Sequence, residues 1–278
     1  MGKVLFFDID GTLVNADGVV PASAKKALEQ ARMAGHRLVI CSGRSGHQIP
    51  QWIYDYFDGL VNCTGARVIC KGRIISEHFV PREDVKRARE ALDAAHGVLV
   101  GQTEECTILS KEGYDYLYDF MVRSGRPRER IENMLGNAIL TPTMEECGKI
   151  KKFFYHRSDK TIGELEKELG DIFTIEAASF RKDREDCGEI CCKGINKSYG
   201  MEKYLEYVGL TRKDAIAFGD GPNDLDMLSF AETGVAMGNG LEEVKKLADF
   251  VTKDISQRSN KMLKLNLLLN GLVSSLDH

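Results

Sequence analysis

Val4-Leu5-Phe6-Phe7-Asp8-Ile9-Asp10-Gly11-Thr12-Leu13 is the stretch whose reading decides the fold. Four apolar, β-prone residues run straight into two carboxylates and a glycine. That pattern reads as a buried strand ending at a functional loop. Alternation separates Asp8 from Asp10, so one segment can supply two carboxylates with different tasks. Two close anions repel, and coexist only with a cation or a shared proton. Magnesium suits such a place, because it takes hard oxygen ligands through one or two carboxylates plus substrate phosphate. An acidic turn at a strand end would use the same residue types. What separates the two readings is a second acidic cluster far downstream, with a hydroxyl and a lysine between.

Working outward, strand and helix patterns alternate. Pro21–Ala34 carries Ala24, Ala27, Leu28 and Ala31 at helical spacing and stops at Gly35. Arg37–Cys41 is a short apolar run ending in Ser42-Gly43-Arg44. A helix is expected over Gln48–Phe57 and a strand over Leu60–Cys63. Val68-Ile69 and Ile74-Ile75 flank Lys71-Gly72, a hairpin signal. Pro81 marks a change to a more charged stretch. There, helices are expected at Glu83–Ala95, Tyr114–Arg123 and Ile162–Leu169, and strands at Val98–Gly101, Thr107–Ser110, Lys149–Tyr155 and Phe173–Ala177. Arg181–Glu189 suits a return linker. The first pattern then resumes: a strand end at Ile190–Cys192, a helix at Ile195–Val208, and Ala215–Phe218 running into Gly219-Asp220-Gly221-Pro222-Asn223-Asp224. Asp226–Ala231 and Leu241–Ala248 read as helices, Gly234–Met237 as a strand, and Met262–Leu272 as an amphipathic helix. The expected fold is α/β, a Rossmann-like parallel-sheet core with an inserted α+β (mixed α/β) cap. The core takes residues 1–81 and 187–278, the cap 82–186.

Composition narrows the function classes. The chain has 278 residues, 43% hydrophobic and 29% charged, with a formal net charge of −4. No basic excess suggests nucleic-acid binding. An anionic substrate must therefore be drawn by a local basic group or a metal. The eight cysteines include no Cys-x-x-Cys pair, so they read as reduced thiols in the cytoplasm. No basic-then-apolar leader and no apolar run long enough to span a bilayer is read, so neither secretion nor a membrane partner is expected. No obligate protein partner is implied.

Four pieces fall at the carboxyl ends of expected strands: Asp8 with Asp10, Ser42 with Gly43, Lys197 just inside a helix, and Asp220 with Asp224. Ligands of open parallel sheets bind outside those strand ends. Each piece has a task in phosphoryl transfer, where positioning and charge neutralisation dominate. Carboxylates and magnesium would hold the phosphate, a hydroxyl and a backbone N–H would bind its oxygens, and lysine would balance excess charge. Aspartate is a competent phosphoryl acceptor.

These four motifs, Asp8-Ile9-Asp10-Gly11-Thr12-Leu13, Ser42-Gly43-Arg44, Lys197, and Gly219-Asp220-Gly221-Pro222-Asn223-Asp224, resemble those of the haloacid dehalogenase superfamily. Their order and spacing, with an insert between the second and third, resemble its Cof-like phosphatases (subfamily IIB). The resemblance implies Asp8 as nucleophile and Asp10 as general acid/base, with the Asp10 backbone carbonyl also on magnesium. It implies Ser42 and Gly43 as the phosphate-binding turn and Lys197 as the lysine steadying Asp8. Gly194-Ile195-Asn196-Lys197 favours Lys197 over its rival Lys193. Asp220 is implied as a direct metal ligand and Asp224 as holder of metal-bound water, while Asn223 is a phosphate contact. Arg44 is a candidate for a substrate anion or for an ion pair with a carboxylate. One departure stands out: Cys63-Thr64-Gly65-Ala66 replaces the family's common Asn-Gly-Ala, keeping a hydroxyl and losing the amide. Gly238-Asn239-Gly240 resembles a family feature near the site. Cap candidates for substrate contact are Arg181, Lys182, His156 and Glu105. Tyr114, Tyr116 and Tyr118 do not share one helical face, and His96 reads as structural. The implied activity is magnesium-dependent hydrolysis of a small phosphorylated metabolite, a sugar phosphate or phosphorylated cofactor. The alternatives are a phosphomutase of the same superfamily, a non-catalytic sensor, or a dehalogenase. The carboxylate set fits the last poorly.

Overall fold

The computed structural model describes residues 2–15, 18–177 and 185–255. Arg181, Lys182 and the expected helix at Met262–Leu272 lie outside these residues.

Two sheets organise the described chain. The first has eight strands. β1 (Val4–Phe7) is central, with β2 (Arg37–Cys41) and β3 (Gly59–Asn62) on one side and, from the far end of the chain, β12 (Ala215–Gly219), β13 (Thr233–Ala236) and β14 (Phe250–Val251) on the other. These six run parallel. The hairpin β4 (Arg67–Cys70) and β5 (Arg73–Glu77) adds an antiparallel edge, turning through Lys71 and Gly72, both at positive φ as a tight hairpin requires.

Alternation along β1 and β2 builds both faces of this sheet. Leu5, Phe7, Leu38 and Ile40 pack with Ala24, Ala27, Leu28 and Ala31 of α1 (Ala22–Met33). Val4, Phe6, Val39 and Cys41 face Met201, Tyr204 and Leu205 of α7 (Lys197–Tyr207), with Met227 and Leu228 of α8 (Leu225–Phe230). The continuous apolar run at Val4–Phe7 is thus a strand buried on both sides.

The second sheet, inserted between β5 and α7, runs in the order β10 (Phe173–Ala177), β11 (Gly188–Cys192), β9 (Lys152–His156), β6 (Val98–Gln102), β7 (Thr107–Leu109), β8 (Ile139–Leu140). It is antiparallel except for β7–β8. α3 (Arg82–Ala94) and α6 (Ile162–Leu169) pack on one face, and α4 (Lys111–Arg123) and α5 (Arg128–Leu135) on the other.

Three expectations need correction. Ile190–Cys192, assigned from residue 187 onward to the first unit, belongs to the second sheet: Ile190 and Cys192 join its core with Phe153, Phe173 and Ile175. The helix expected over Gln48–Phe57 splits into a 3₁₀ turn at Gly46–Gln48 and α2 (Gln51–Tyr56). Pro50 lacks an N–H and cannot continue the turn. The strand expected from Lys149 starts at Lys152, because Gly148 and Lys149 turn through positive φ first. α5, which follows Pro127, has no counterpart in the sequence reading.

Candidate active site

The carboxyl ends of β1, β2, β3 and β12 gather the expected residues. Asp8 follows β1, and its N–H donates to the Phe218 carbonyl of β12 at 3.0 Å. Lys197 opens α7, whose cap is the Asn196 side chain, accepting from Tyr199 N at 2.9 Å. The Lys197 ammonium is fully buried (0% exposed) and donates to Asp8 Oδ1 at 2.7 Å and Asp224 Oδ1 at 2.5 Å. Burial alone would discharge it, but Asp224 and Asp8 outweigh that cost and hold its pKa well above the usual lysine value. Burial pushes the Asp8 carboxyl up to about 8 against the pull of Lys197. Lys193 is exposed and donates to the Gly170 carbonyl at 2.6 Å, so the site lysine is Lys197.

Carboxylate oxygens of Asp8, Asp220 and Asp224 lie within 4.8 Å of one another. Asp220 Oδ1 accepts from Thr12 Oγ at 3.0 Å. A Cβ on Gly11, at φ +84°, would stand 2.5 Å from Asp220 Oδ2, so only glycine lets the first loop pass beside the second acidic one. Asn239 braces the same loop, donating to the Gly11 carbonyl at 2.8 Å. The Gly238-Asn239-Gly240 turn therefore touches the site region.

Two expected residues also hold protein partners. Asp224 spends its second oxygen on the amides of Asp220 and Gly221, both at 2.9 Å. It ties Lys197 to the acidic loop. The Asp10 side chain is 56% exposed and stands outside the acidic triad, held bidentately by Arg44 at 2.6 and 2.7 Å. Arg44 thus pairs with a carboxylate in this arrangement.

The remaining expected residues converge. Ser42 is buried, and its Oγ accepts from Arg44 N at 3.2 Å, leaving its hydroxyl hydrogen for another acceptor. Beside it, a Cβ on Gly43 would lie 3.5 Å from Thr64 Oγ and 3.6 Å from Asn223 Nδ2. The chain after β3 is forced into an unusual path. Cys63, Thr64 and Gly65 take φ of 49°, 55° and 93° in succession, a run L-residues rarely adopt. Hydrogen bonds from Cys63 N to Arg44 O at 2.9 Å and from Thr64 N to Ser42 O at 3.2 Å stitch this loop to the Ser42–Arg44 turn.

Of the inserted-unit candidates, His156 is buried against Phe120, Phe154 and Tyr116 rather than directed to the acidic triad. Glu105 is exposed in the β6–β7 loop. His96 pairs with Asp159 at the surface. Tyr114 stacks on Tyr118 and Tyr116 on Phe120, as one-turn spacing requires. The residue that sequence reasoning missed is Lys152, at the start of β9. It is 3% exposed, donates to Thr64 Oγ at 3.2 Å, pairs with Glu189, and its Nζ would lie 3.5 Å from a Cβ on Gly43.

Residues 5–259 match the model of the haloacid dehalogenase-like hydrolase family. Pyridoxal phosphate phosphatase YbhA of Escherichia coli (strain K12) is 28% identical, covering 91% of this chain and 93% of that protein. 5-Amino-6-(5-phospho-D-ribitylamino)uracil phosphatase YitU of Bacillus subtilis (strain 168) is 26% identical, covering 90% and 91%. The crystal structure of a Geobacillus kaustophilus protein superposes with a TM-score of 0.77 at 27% identity, over 95% of this chain and 100% of that one. A family match spanning both ends of the inserted unit, on a site with Lys197 clamped between Asp8 and Asp224, places this chain among the haloacid dehalogenase-like hydrolases, in their Cof-like phosphatase branch.

Proposed function

We propose that the chain is a magnesium-dependent phosphatase that hydrolyses a small phosphate monoester through an aspartyl-phosphate on Asp8. The observation that carries this reading is the buried ammonium of Lys197 between Asp8 and Asp224, which cluster with Asp220. Asp8 attacks in line. Ser42, Gly43 and Asn223 hold the outer phosphoryl oxygens. Asp10, released from Arg44, donates a proton to the leaving alcohol and later takes one from water. Lys197 keeps Asp8 aimed and offsets the charge that accumulates on transfer.

The donor set of Asp8, Asp220 and Asp224 fits a magnesium ion, being all-oxygen and carboxylate-rich. The Asp10 backbone carbonyl is the remaining protein donor in this reading. When bound, the ion would neutralise phosphoryl charge. The inserted unit acts as the cap over the site. The relatives' names support a phosphorylated metabolite or cofactor as substrate class. A cytoplasmic setting is supported by eight cysteines without a disulfide among the described residues, and no described helix is long and apolar enough to cross a membrane.

The test is phosphate release from sugar phosphates, pyridoxal phosphate and p-nitrophenyl phosphate, with magnesium and with EDTA, beside Asp8→Asn. Metal-dependent release that vanishes in the variant is expected. Turnover retained by Asp8→Asn, with deamidation excluded, would sink the nucleophile assignment.

A further inference from the structure

Pairing across β9, β11 and β10 sorts their side chains onto two faces. Lys152 lies opposite Cys191, which lies opposite Thr174; Phe154 lies opposite Glu189, which lies opposite Glu176. These residues share one face. The other face carries Phe153, Tyr155, Phe173, Ile175, Ile190 and Cys192, all in one apolar core. On the first face Phe154 joins the apolar cluster under α4 and α5; apart from Cys191 the rest of that face is polar, and Lys152 on it is buried. Lys152 on this face donates to Thr64 Oγ at 3.2 Å, which sets the face against the loop that follows β3 in the first sheet.

A buried lysine–glutamate pair is a poor device for stability, because apolar residues of similar volume commonly do as well. Its placement offers another reason for it. The Lys152 ammonium reaches out of its own sheet to the Thr64 hydroxyl and stands beside Gly43. It thus adjoins the turn that would hold phosphoryl oxygens, as a second cation supplied by the second sheet, where Lys197 comes from α7. The strained run at Cys63–Gly65 presents the Thr64 hydroxyl to it.

We propose that Lys152 is a substrate-binding residue lent by the second sheet: its ammonium takes an oxygen of the phosphorylated substrate between the Ser42–Gly43 turn and Thr64, and gives up Glu189 to do so. Glu189 is then a positioning residue that aims the ammonium and keeps it charged in the unliganded protein. Burial opposes that charge, yet Glu189 leads the neighbours that together hold the lysine pKa above its usual value. The identity of the ligand rests on the phosphatase reading above.

The experiment is calorimetric binding of inorganic phosphate to the full chain in magnesium, for the wild type, Lys152→Met, Lys152→Arg and Glu189→Gln. Turnover of p-nitrophenyl phosphate and melting temperature are read in parallel. Lys152→Met is expected to weaken phosphate at least tenfold, Lys152→Arg to recover most of that loss, and Glu189→Gln to tighten phosphate threefold or more by removing the competing carboxylate. Phosphate affinity within twofold of wild type in a folded Lys152→Met overturns the inference. So does equal thermal destabilisation in both single variants with no change in affinity, the signature of a structural ion pair. If Lys152→Met does not fold, Glu189→Gln decides: tighter phosphate supports the inference, unchanged or weaker phosphate overturns it. Lys152-dependent binding without turnover would instead fail the phosphatase reading alone, and turnover with Lys152-independent binding would fail this inference alone. A wild type that binds no phosphate overturns it.

Discussion

Replacing Lys197 with methionine keeps length and apolar volume but removes the ammonium that two buried carboxylates share. At 2.7 and 2.5 Å, each pairing has a gross attraction of about 6 kcal/mol with an effective dielectric near 20. Desolvation of the lysine returns most of this, so the net cost is that of stranding its partners. Breaking a buried pair from one side costs ~3–5 kcal/mol, set against total stabilities of about 5–15 kcal/mol. The assay is urea denaturation at pH 7 in EDTA, followed by far-UV circular dichroism, with the cycle completed by Asp224→Asn and the double variant. The expected midpoint shift for Lys197→Met is on the order of 1 M or more. The double variant should be less destabilised than the sum of the singles by roughly 1–3 kcal/mol, because it no longer buries an unpaired Asp224. A Lys197→Met protein within about 1 kcal/mol of wild type, with no coupling in the cycle, would refute the reasoning. Lys197 would then contribute nothing to holding the acidic loop.

Three further outcomes follow from the packing. Glu104 reaches from the β6–β7 loop into the first unit, where Arg67, Asn62 Nδ2 at 3.0 Å and Tyr54 OH at 3.4 Å donate to it; Glu104→Ala should cost ~1–3 kcal/mol by orphaning these donors, and should speed amide exchange at Gly101–Thr107, whereas unchanged exchange would show that the two units do not depend on this contact. Gly65→Ala would place a Cβ 1.9 Å from the Asn196 carbonyl at φ +93°, so it should lower stability by more than ~2 kcal/mol and abolish turnover by displacing the start of α7; a melting temperature equal to wild type would count against this. Arg89 holds Glu145 bidentately at 3.0 Å and lowers its carboxyl pKa. A depressed carboxyl adds stability above its unfolded value and loses it as pH falls through the folded one, so the ~1–2 kcal/mol cost of Glu145→Gln at pH 7 should fade below about pH 4. A gap constant with pH in equilibrium unfolding would contradict it.

The first sheet was legible because its strands are apolar runs that stop at chemically unusual loops. Asp8, Ser42, Lys197 and Asp220 each follow such a run or open the next helix, so topology alone brings them together. What stayed hidden depends on pairing partners. Gly188–Cys192 alternates Glu189 and Cys191 with Ile190 and Cys192, a pattern that fixes a one-faced strand but not the sheet that accepts it. Lys152 went unnoticed because a strand lysine ordinarily reads as solvated. Its burial arises only when Thr64 and Glu189, from two distant chain segments, close around it. The role of Arg44 was likewise open in sequence, since an arginine near a carboxylate can serve a ligand or a neighbour, and only side-chain geometry shows its grip on Asp10.

The position of β1 has a consequence for how the chain is made. It lies in the middle of the first sheet, yet its partner on one side begins only at Ala215. During synthesis, Val4–Phe7 can pair with β2 as soon as that strand emerges, while its other edge waits through the whole inserted unit with its N–H and C=O groups unpaired. An exposed apolar edge of this kind is where nascent chains join one another. The inserted sheet, by contrast, closes from strands that emerge together. Acquisition of hydrolytic competence should therefore lag behind most of the secondary structure, and the last step to appear on refolding should be the docking of β12 along β1, a long-range pairing of the slow class.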